Sequence, residues 1–255
     1  LQLNSRDNIR LVRGSHIVVP KLYGHDKCYF FQGTDGRIIF SIPYEYDFTL
    51  IGTTDADHDC IETRPVCSDA ERDYLVNFAS QYFAKEISPK DVVWSYSGVR
   101  PLYDDGTKNA AAATRDYVLK LEHGAGNAPL LNIFGGKITT YRKLAEAAIA
   151  EITSFFPNLN APWTANSSLP GGNFAVEDVE KLIEELRVEF SFLTEIRARR
   201  LIRSYGLNAW KILKGCRKLE DLGEQFGEIL TQREIDYMRE NEFALEVDDI
   251  IWRRT

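Results

Sequence analysis

Phe134-Gly135-Gly136-Lys137-Ile138-Thr139-Thr140-Tyr141-Arg142-Lys143-Leu144-Ala145-Glu146, in one-letter form FGGKITTYRKLAE, is where the pattern of the chain changes. Before it, Pro129 to Phe134 is a short apolar run of strand type; after it, Tyr141, Leu144, Ala145, Ala148, Ile149 and Ile152 recur at helical spacing. Gly135-Gly136 is therefore a strand-to-helix turn. Two glycines let the backbone approach a ligand, and the helix start aims free N–H groups outward, an arrangement that attracts negative charge. Lys137 would add a full positive charge. On the bare residues the plainer reading, a helix start with glycines placed for packing, takes precedence, because short Gly-Gly turns are common.

Toward the N-terminus the chain reads as β structure. His16 to Val19, Cys28 to Gln32, Arg37 to Ile42 and Phe48 to Gly52 are short β-branched and aromatic runs, with Gly33-Thr34-Asp35-Gly36 as a hairpin connection. An antiparallel sheet is expected. Ser68 with Glu71 forms a capping box before the helical stripe Leu75, Phe78 and Tyr82, and this helix should pack on the sheet. Strand signals return at Val92 to Tyr96 and Tyr117 to Leu121.

Toward the C-terminus, Pro157 to Gly172 reads as an extended linker. Val176 to Phe190, Leu193 to Tyr205 and Thr231 to Asn241 are helical in pattern, the last opening with a Thr231/Glu234 capping box. The expected class is α+β: an antiparallel-sheet domain over residues 1–128, a strand-helix segment over 129–156, a linker over 157–172 and an all-helical domain over 173–255.

The composition narrows the function. With 255 residues, 44% hydrophobic and 27% charged, the chain can bury one large core or two smaller ones. No apolar run is long enough to span a membrane, and four cysteines without CxxC spacing read as reduced cytosolic thiols. A net charge of -7 argues against a nucleic-acid binder, so any anion site must be local. Leu1 opens the chain without a start signal, which suggests a beginning in mid-protein.

Several side chains have the chemistry for a site. Arg100, delivered by the buried-looking strand Val92 to Ser97 and held extended by Pro101, suits bidentate capture of a phosphate or carboxylate, and Arg115 in TRDY is a second candidate. An ordinary ion pair with Asp104, Asp105 or Asp116 is the competing account. His16 in RGSHIVVP has the intrinsic basicity for proton transfer, although a lone histidine is more often a hydrogen-bonded structural residue. Asp55, Asp57 and Asp59 have calcium-loop spacing, but Cys60 and Val66 stand where glycine and glutamate belong, so the stretch reads as a solvated turn with no metal. Gly124 and Gly126 begin an incomplete GxGxxG that reads as a hairpin loop. Arg197, Arg199, Arg200 and Arg203 read as a salt-bridged solvated helix face.

In order and spacing, GSHIVVP, IGTTD, WSYSGVRP, TRDY, FGGKITTYRKLAE, LPGG and the closing WRR resemble FAD-dependent glycerol-3-phosphate dehydrogenases over nearly the whole chain. The resemblance implies a sheet domain of glycine-oxidase or D-amino-acid-oxidase type. It implies oxidation of sn-glycerol 3-phosphate to dihydroxyacetone phosphate with FAD as hydride acceptor, electrons passing to quinone at the cytoplasmic face of the cell membrane. By the same carry-over His16 looks like the base, Arg100 and Lys137 like catalytic cations, and Arg115, Thr53 and Thr54 like substrate contacts. Gly98, Arg100, Gly135, Gly136, Lys137, Ile138 and Thr139 match the stretches that line the flavin ring.

The family's GxGxxG strand-turn-helix for the FAD pyrophosphate has no counterpart in this sequence. The chain alone is therefore expected neither to retain FAD nor to turn over substrate, and the apolar face of Pro129 to about Ile152 is expected to be partly uncovered, open to a homodimer contact or a surrogate partner. A glycerophosphate oxidase using oxygen, an amine or amino-acid oxidase, and a non-catalytic folded fragment or interaction module are the rival readings.

Overall fold

The computed structural model describes residues 7–107, 114–123, 128–156 and 158–252. Gly124 and Gly126 lie outside the described residues. The chain divides into two compact units, Leu1–Pro162 and Trp163–Thr255.

The first unit is organised by one long strand, β1 (Ile9–Pro20), whose β-branched run is halted by proline. It is followed by β2 (Tyr29–Gln32), β3 (Ile38–Tyr44), β4 (Phe48–Gly52), β5 (Ala56–Asp57), helix α1 (Asp69–Ser80) and β6 (Trp94–Tyr103). All pairings are antiparallel. β6 pairs with β1 from Ile9↔Tyr103 to Val18↔Trp94, while the opposite edge of β1 is shared between β4, in register His16↔Gly52, and β5, in register Arg13↔Ala56. Between those two partners the chain steps out at Thr53, Thr54 and Asp55. β3 and β2 extend the sheet beyond β4.

Strand periodicity gives β1 two unlike faces. Ser15, Ile17 and Val19 face α1 and are buried with Ile39, Ile51 and Leu75. Gly14, His16 and Val18 point the other way, beside Gly98, Tyr96 and Trp94 of β6. The start of β6 was expected to be buried; instead Trp94 is 49% exposed and Tyr96 37%, because α1 covers only the far face. Beyond this sheet, β7 (Val118–Glu122) and β8 (Leu130–Phe134) form a separate antiparallel pair, followed by a single 3-10 turn and α2 (Tyr141–Ile152). No residue of α2 is fully buried, and Ile138, Tyr141 and Ile149 leave an apolar face uncovered.

The second unit is helical, with α3 (Val179–Glu189), α4 (Glu195–Tyr205), α5 (Ala209–Leu213), α6 (Gln232–Asn241) and α7 (Val247–Ile251). Three expectations need correction. A two-residue ladder, β9 (Gln225–Phe226) with β10 (Leu230–Thr231), closes across a turn at Gly227, so the unit is not purely helical. Thr231 makes no side-chain cap bond; Glu234 turns inward, buried, to Arg200 and to the Tyr205 hydroxyl at 3.0 Å. A carboxylate as buried as that of Glu234, left without a counter-charge, would cost more than the ~1 kcal/mol of a cap. The arginine group is for the same reason not one solvated face: Arg199 grips Glu180 and Glu195, Arg197 binds the Glu228 carbonyl, and Arg200 serves the core.

The tie between α1 and the sheet is polar as well as apolar. The Glu71 carboxylate, buried at the helix start, receives the Ser68 N–H at 3.0 Å, the Ser68, Ser15 and Thr54 hydroxyls at 2.8, 2.8 and 2.7 Å, and the Arg13 guanidinium at 2.9 Å. Burial alone would raise its pKa, but the hydrogen bonds from Ser68, Thr54 and Ser15 outweigh that and hold it at about 2. The folded value lies below the unfolded one, so this stabilisation is complete above about pH 4.5 and is lost as the pH falls toward 2. Urea unfolding at pH 7 should find Glu71→Gln less stable by about 3 kcal/mol, with the gap narrowing below pH 4.5; an equal gap at pH 7 and pH 3.5 would contradict this account.

Candidate active site

On the open face of the sheet, three glycines make room around two candidate site residues, His16 and Arg100. Gly52 lies opposite His16, and a Cβ on it would fall 2.1 Å from the imidazole Cδ2. Gly14 lies under Arg100, where a Cβ would fall 2.3 Å from the guanidinium. Gly98, across the ladder from Gly14, has nothing within 4 Å of the position its Cβ would take, so it leaves an open floor. The pleat explains the grouping, since positions 14 and 16 of β1 and 96, 98 and 100 of β6 share one face.

His16 stacks on Tyr96 with ring centroids 4.9 Å apart and planes 6° from parallel. Its Nδ1 is buried and has no hydrogen-bond partner, which leaves Nε2 as the nitrogen able to meet a ligand. Burial first, and the positive charge of Arg100 second, push the imidazole down to about 4. At neutral pH the ring is therefore uncharged and able to accept a proton.

Arg100 donates to Thr53 Oγ1 at 3.0 Å and to Asp55 Oδ1 at 3.3 Å. Arg115, from the segment before β7, reaches the other oxygen of the same carboxylate at 2.8 Å. Its Nε is buried without an acceptor. The ion-pair partner of both arginines is thus Asp55, not Asp104, Asp105 or Asp116, and Asp55 is no solvated residue, its side chain being 15% exposed. Sequence reasoning placed it in a solvated turn instead of beside the arginines. The signal was present in IGTTD, whose acid follows directly on the two threonines already singled out.

The two threonines separate. Thr53 turns to Arg100, whereas Thr54 is buried on the α1 side, accepting the Ser15 N–H at 2.9 Å and donating to Glu71. Thr54 therefore braces the step between β4 and β5 and presents no hydroxyl to the open face, which corrects its reading as a substrate contact.

Gly135 and Gly136 adopt φ of 66° and 99°, conformations that glycine allows at little cost. A Cβ on Gly135 would lie 3.8 Å from the Pro101 carbonyl oxygen and 3.3 Å from that of Asp116, so the turn rests against the ends of both segments that carry the arginines. Lys137, Ile138 and Thr139 are exposed beyond it, and the Lys137 N–H is taken up by Thr140 Oγ1 at 3.2 Å. Among the described residues no hydrogen bond or ion pair joins these three to His16 or Arg100. No group of His, Cys, Asp and Glu among the described residues is placed to hold a metal ion.

Residues 1–142 match the family described as FAD dependent oxidoreductase, and residues 162–255 match the C-terminal domain of alpha-glycerophosphate oxidase. The chain is 44% identical over its whole length to a glycerol-3-phosphate dehydrogenase of Pseudomonas aeruginosa, covering 50% of that protein. It is 41% identical over 98% of its length to a D-erythritol 1-phosphate dehydrogenase of Brucella abortus, again covering 50%. The crystal structure of a glycerol-3-phosphate dehydrogenase from Bacillus halodurans in complex with FAD superposes with a TM-score of 0.75 at 26% identity, over 100% of this chain and 49% of that one. The chain thus spans about half the length of the curated relatives it matches. With a matched region of 142 residues that carries His16, Arg100, Arg115 and the Gly135-Gly136 turn, the chain belongs to the FAD-dependent oxidoreductase family.

Proposed function

We propose that this chain supplies the substrate-binding half of an FAD-dependent dehydrogenase of sn-glycerol 3-phosphate, yielding dihydroxyacetone phosphate. The observation that carries the reading is the placement of the Arg100 guanidinium, tied through Asp55 to that of Arg115, beside an uncharged imidazole on a glycine-cleared sheet face. The named relatives act on phosphorylated polyols, which fits that pairing of cations with a base.

A flavin suits this face on two grounds: the open space over Gly98 and the left-handed turn at Gly135 and Gly136. Gly98, Gly135, Gly136, Lys137, Ile138 and Thr139 would line it, and the helix start at Ile138 would favour negative charge on its edge. FAD, when bound, supplies the acceptor for the hydride leaving substrate C2. Arg100 and Arg115 hold the phosphate, with Thr53 oriented by Arg100 at its edge. His16 takes the C2 hydroxyl proton at Nε2. A phosphate dianion beside Arg100 offsets the positive charge that depresses the imidazole, so substrate binding itself raises the basicity of His16. Lys137 is assigned a supporting cationic role on the flavin side.

The remaining parts of the reading follow from the same family. The uncovered apolar face around Ile138, Tyr141 and Ile149 is where we place the FAD-binding half of the enzyme, so residues 129–156 would complete that half, next to a substrate domain over 1–128. Quinone is the proposed acceptor, reached at the cytoplasmic membrane surface. Exposed Phe243, Leu245, Val247 and Trp252 on the helical unit (173–255, after the 157–172 stretch) support surface attachment, and no described helix is long and apolar enough to cross a membrane. The Brucella relative favours a second reading, a longer polyol phosphate as substrate.

Anaerobic mixing of the chain and an FAD-binding half with glycerol 3-phosphate should bleach the oxidised flavin, while the chain alone should stay colourless. Bleaching by D-erythritol 1-phosphate in preference would transfer the assignment to the second reading. In the flavin-loaded protein, His16→Ala should slow flavin reduction by ~10²-fold or more at nearly unchanged half-saturation. Arg115→Ala should raise the half-saturating concentration instead; the reverse pattern would exchange the two roles.

A further inference from the structure

We propose that Asp55 is a positioning residue for phosphate recognition, one carboxylate that sets the separation of the Arg100 and Arg115 guanidiniums. This rests on the phosphate-ester reading of the same site. The geometry is specific: Oδ1 takes Arg100 at 3.3 Å and Oδ2 takes Arg115 at 2.8 Å. The two arginines come from different segments, β6 and the stretch before β7, and among the described residues no other ion pair or hydrogen bond links them. Asp55 itself is fixed from both sides, because Gly52 is in register with His16 and Ala56 with Arg13, so the three residues between have little freedom.

Charge leads to the same conclusion. Two guanidiniums brought together repel, and a shielded carboxylate between them cancels one charge and leaves the trio with one net positive charge for an incoming anion. Donor capacity remains. A guanidinium carries five N–H groups; Asp55 and Thr53 occupy only part of those on Arg100, and Arg115 keeps a buried Nε with no acceptor. An oxyanion with several acceptor oxygens is the ligand such unused donors fit. Asp55 caps no helix and stands outside the buried apolar clusters, so its contacts serve the two arginines and not the core.

The test uses the flavin-loaded protein at the length of its relatives, with anaerobic flavin reduction read against glycerol 3-phosphate concentration. The parent must first be reduced by glycerol 3-phosphate at concentrations where glycerol has no effect; a parent that does not discriminate overturns the phosphate reading before any variant is compared. Asp55→Asn should then raise half-saturation by about 10- to 100-fold, with the limiting reduction rate near the parent's and flavin content unchanged. Asp55→Glu, which keeps the charge and moves it by one methylene, should recover part of the loss. Parent-like half-saturation in Asp55→Asn overturns the proposal, as does a fall in limiting rate and flavin content together, which would mark a merely structural residue. Should Asp55→Asn fail to fold, Asp55→Glu decides, its half-saturation raised if Asp55 positions the arginines and unchanged if it does not.

Discussion

Strand β1 cannot satisfy its neighbours on both sides without the carboxylate of Glu71. The sheet edge passes from β4 to β5 through three residues, and one of them, Thr54, points its hydroxyl into the interior. An unpaired buried hydroxyl or guanidinium would cost ~1–3 kcal/mol or more. Glu71, arriving at the first turn of α1, accepts from Thr54, Ser15, Ser68 and Arg13 together, so the helix, the central strand and the crossover are fixed by one ion. The apolar contacts of Ile17, Val19, Ile51 and Leu75 supply most of the driving force, as hydrophobic burial does in general. They do not by themselves decide where Thr53 and Asp55 emerge on the opposite face.

That opposite face has a different logic. Its glycines at 14, 52 and 98 give up packing and backbone restriction, and the surrounding Trp94 and Tyr96 stay partly in solvent. A protein selected only for stability would fill such a surface. Here the space that side chains at Gly52 and Gly14 would take is used by the His16 ring and the Arg100 guanidinium. A buried imidazole beside a cation is likewise unfavourable for its charged form, and the same penalty keeps it neutral and receptive at physiological pH.

Most of the architecture was legible from local pattern. The β-branched run from Ile17 to Val19, the Ser68/Glu71 box and the Gly135-Gly136 turn each carry a mechanism that acts over a few residues, and each is found in place. What pattern could not reveal depends on partners far apart in the chain. Asp55 meets arginines 45 and 60 positions away, and nothing in the spacing of three aspartates distinguishes that use from a solvated turn. Glu234 looked like a cap because Thr231 stands three residues before it, yet Arg200 outcompetes the cap once α4 and α6 pack. Thr53 and Thr54 are adjacent and chemically alike; only the crossover geometry sends one to each side.

The crossover from Gly52 to Ala56 also bears on how this family can change over evolutionary time. Surface loops ordinarily absorb inserted or deleted residues at small cost, and binding sites are often retuned that way. This connection has no such latitude, because one added residue would rotate Thr54 out of the Glu71 cluster and displace Asp55 from its arginines together. Relatives that accept larger or smaller phosphorylated alcohols would therefore be expected to differ through side-chain exchange around the open floor at Gly98, while keeping this segment at constant length.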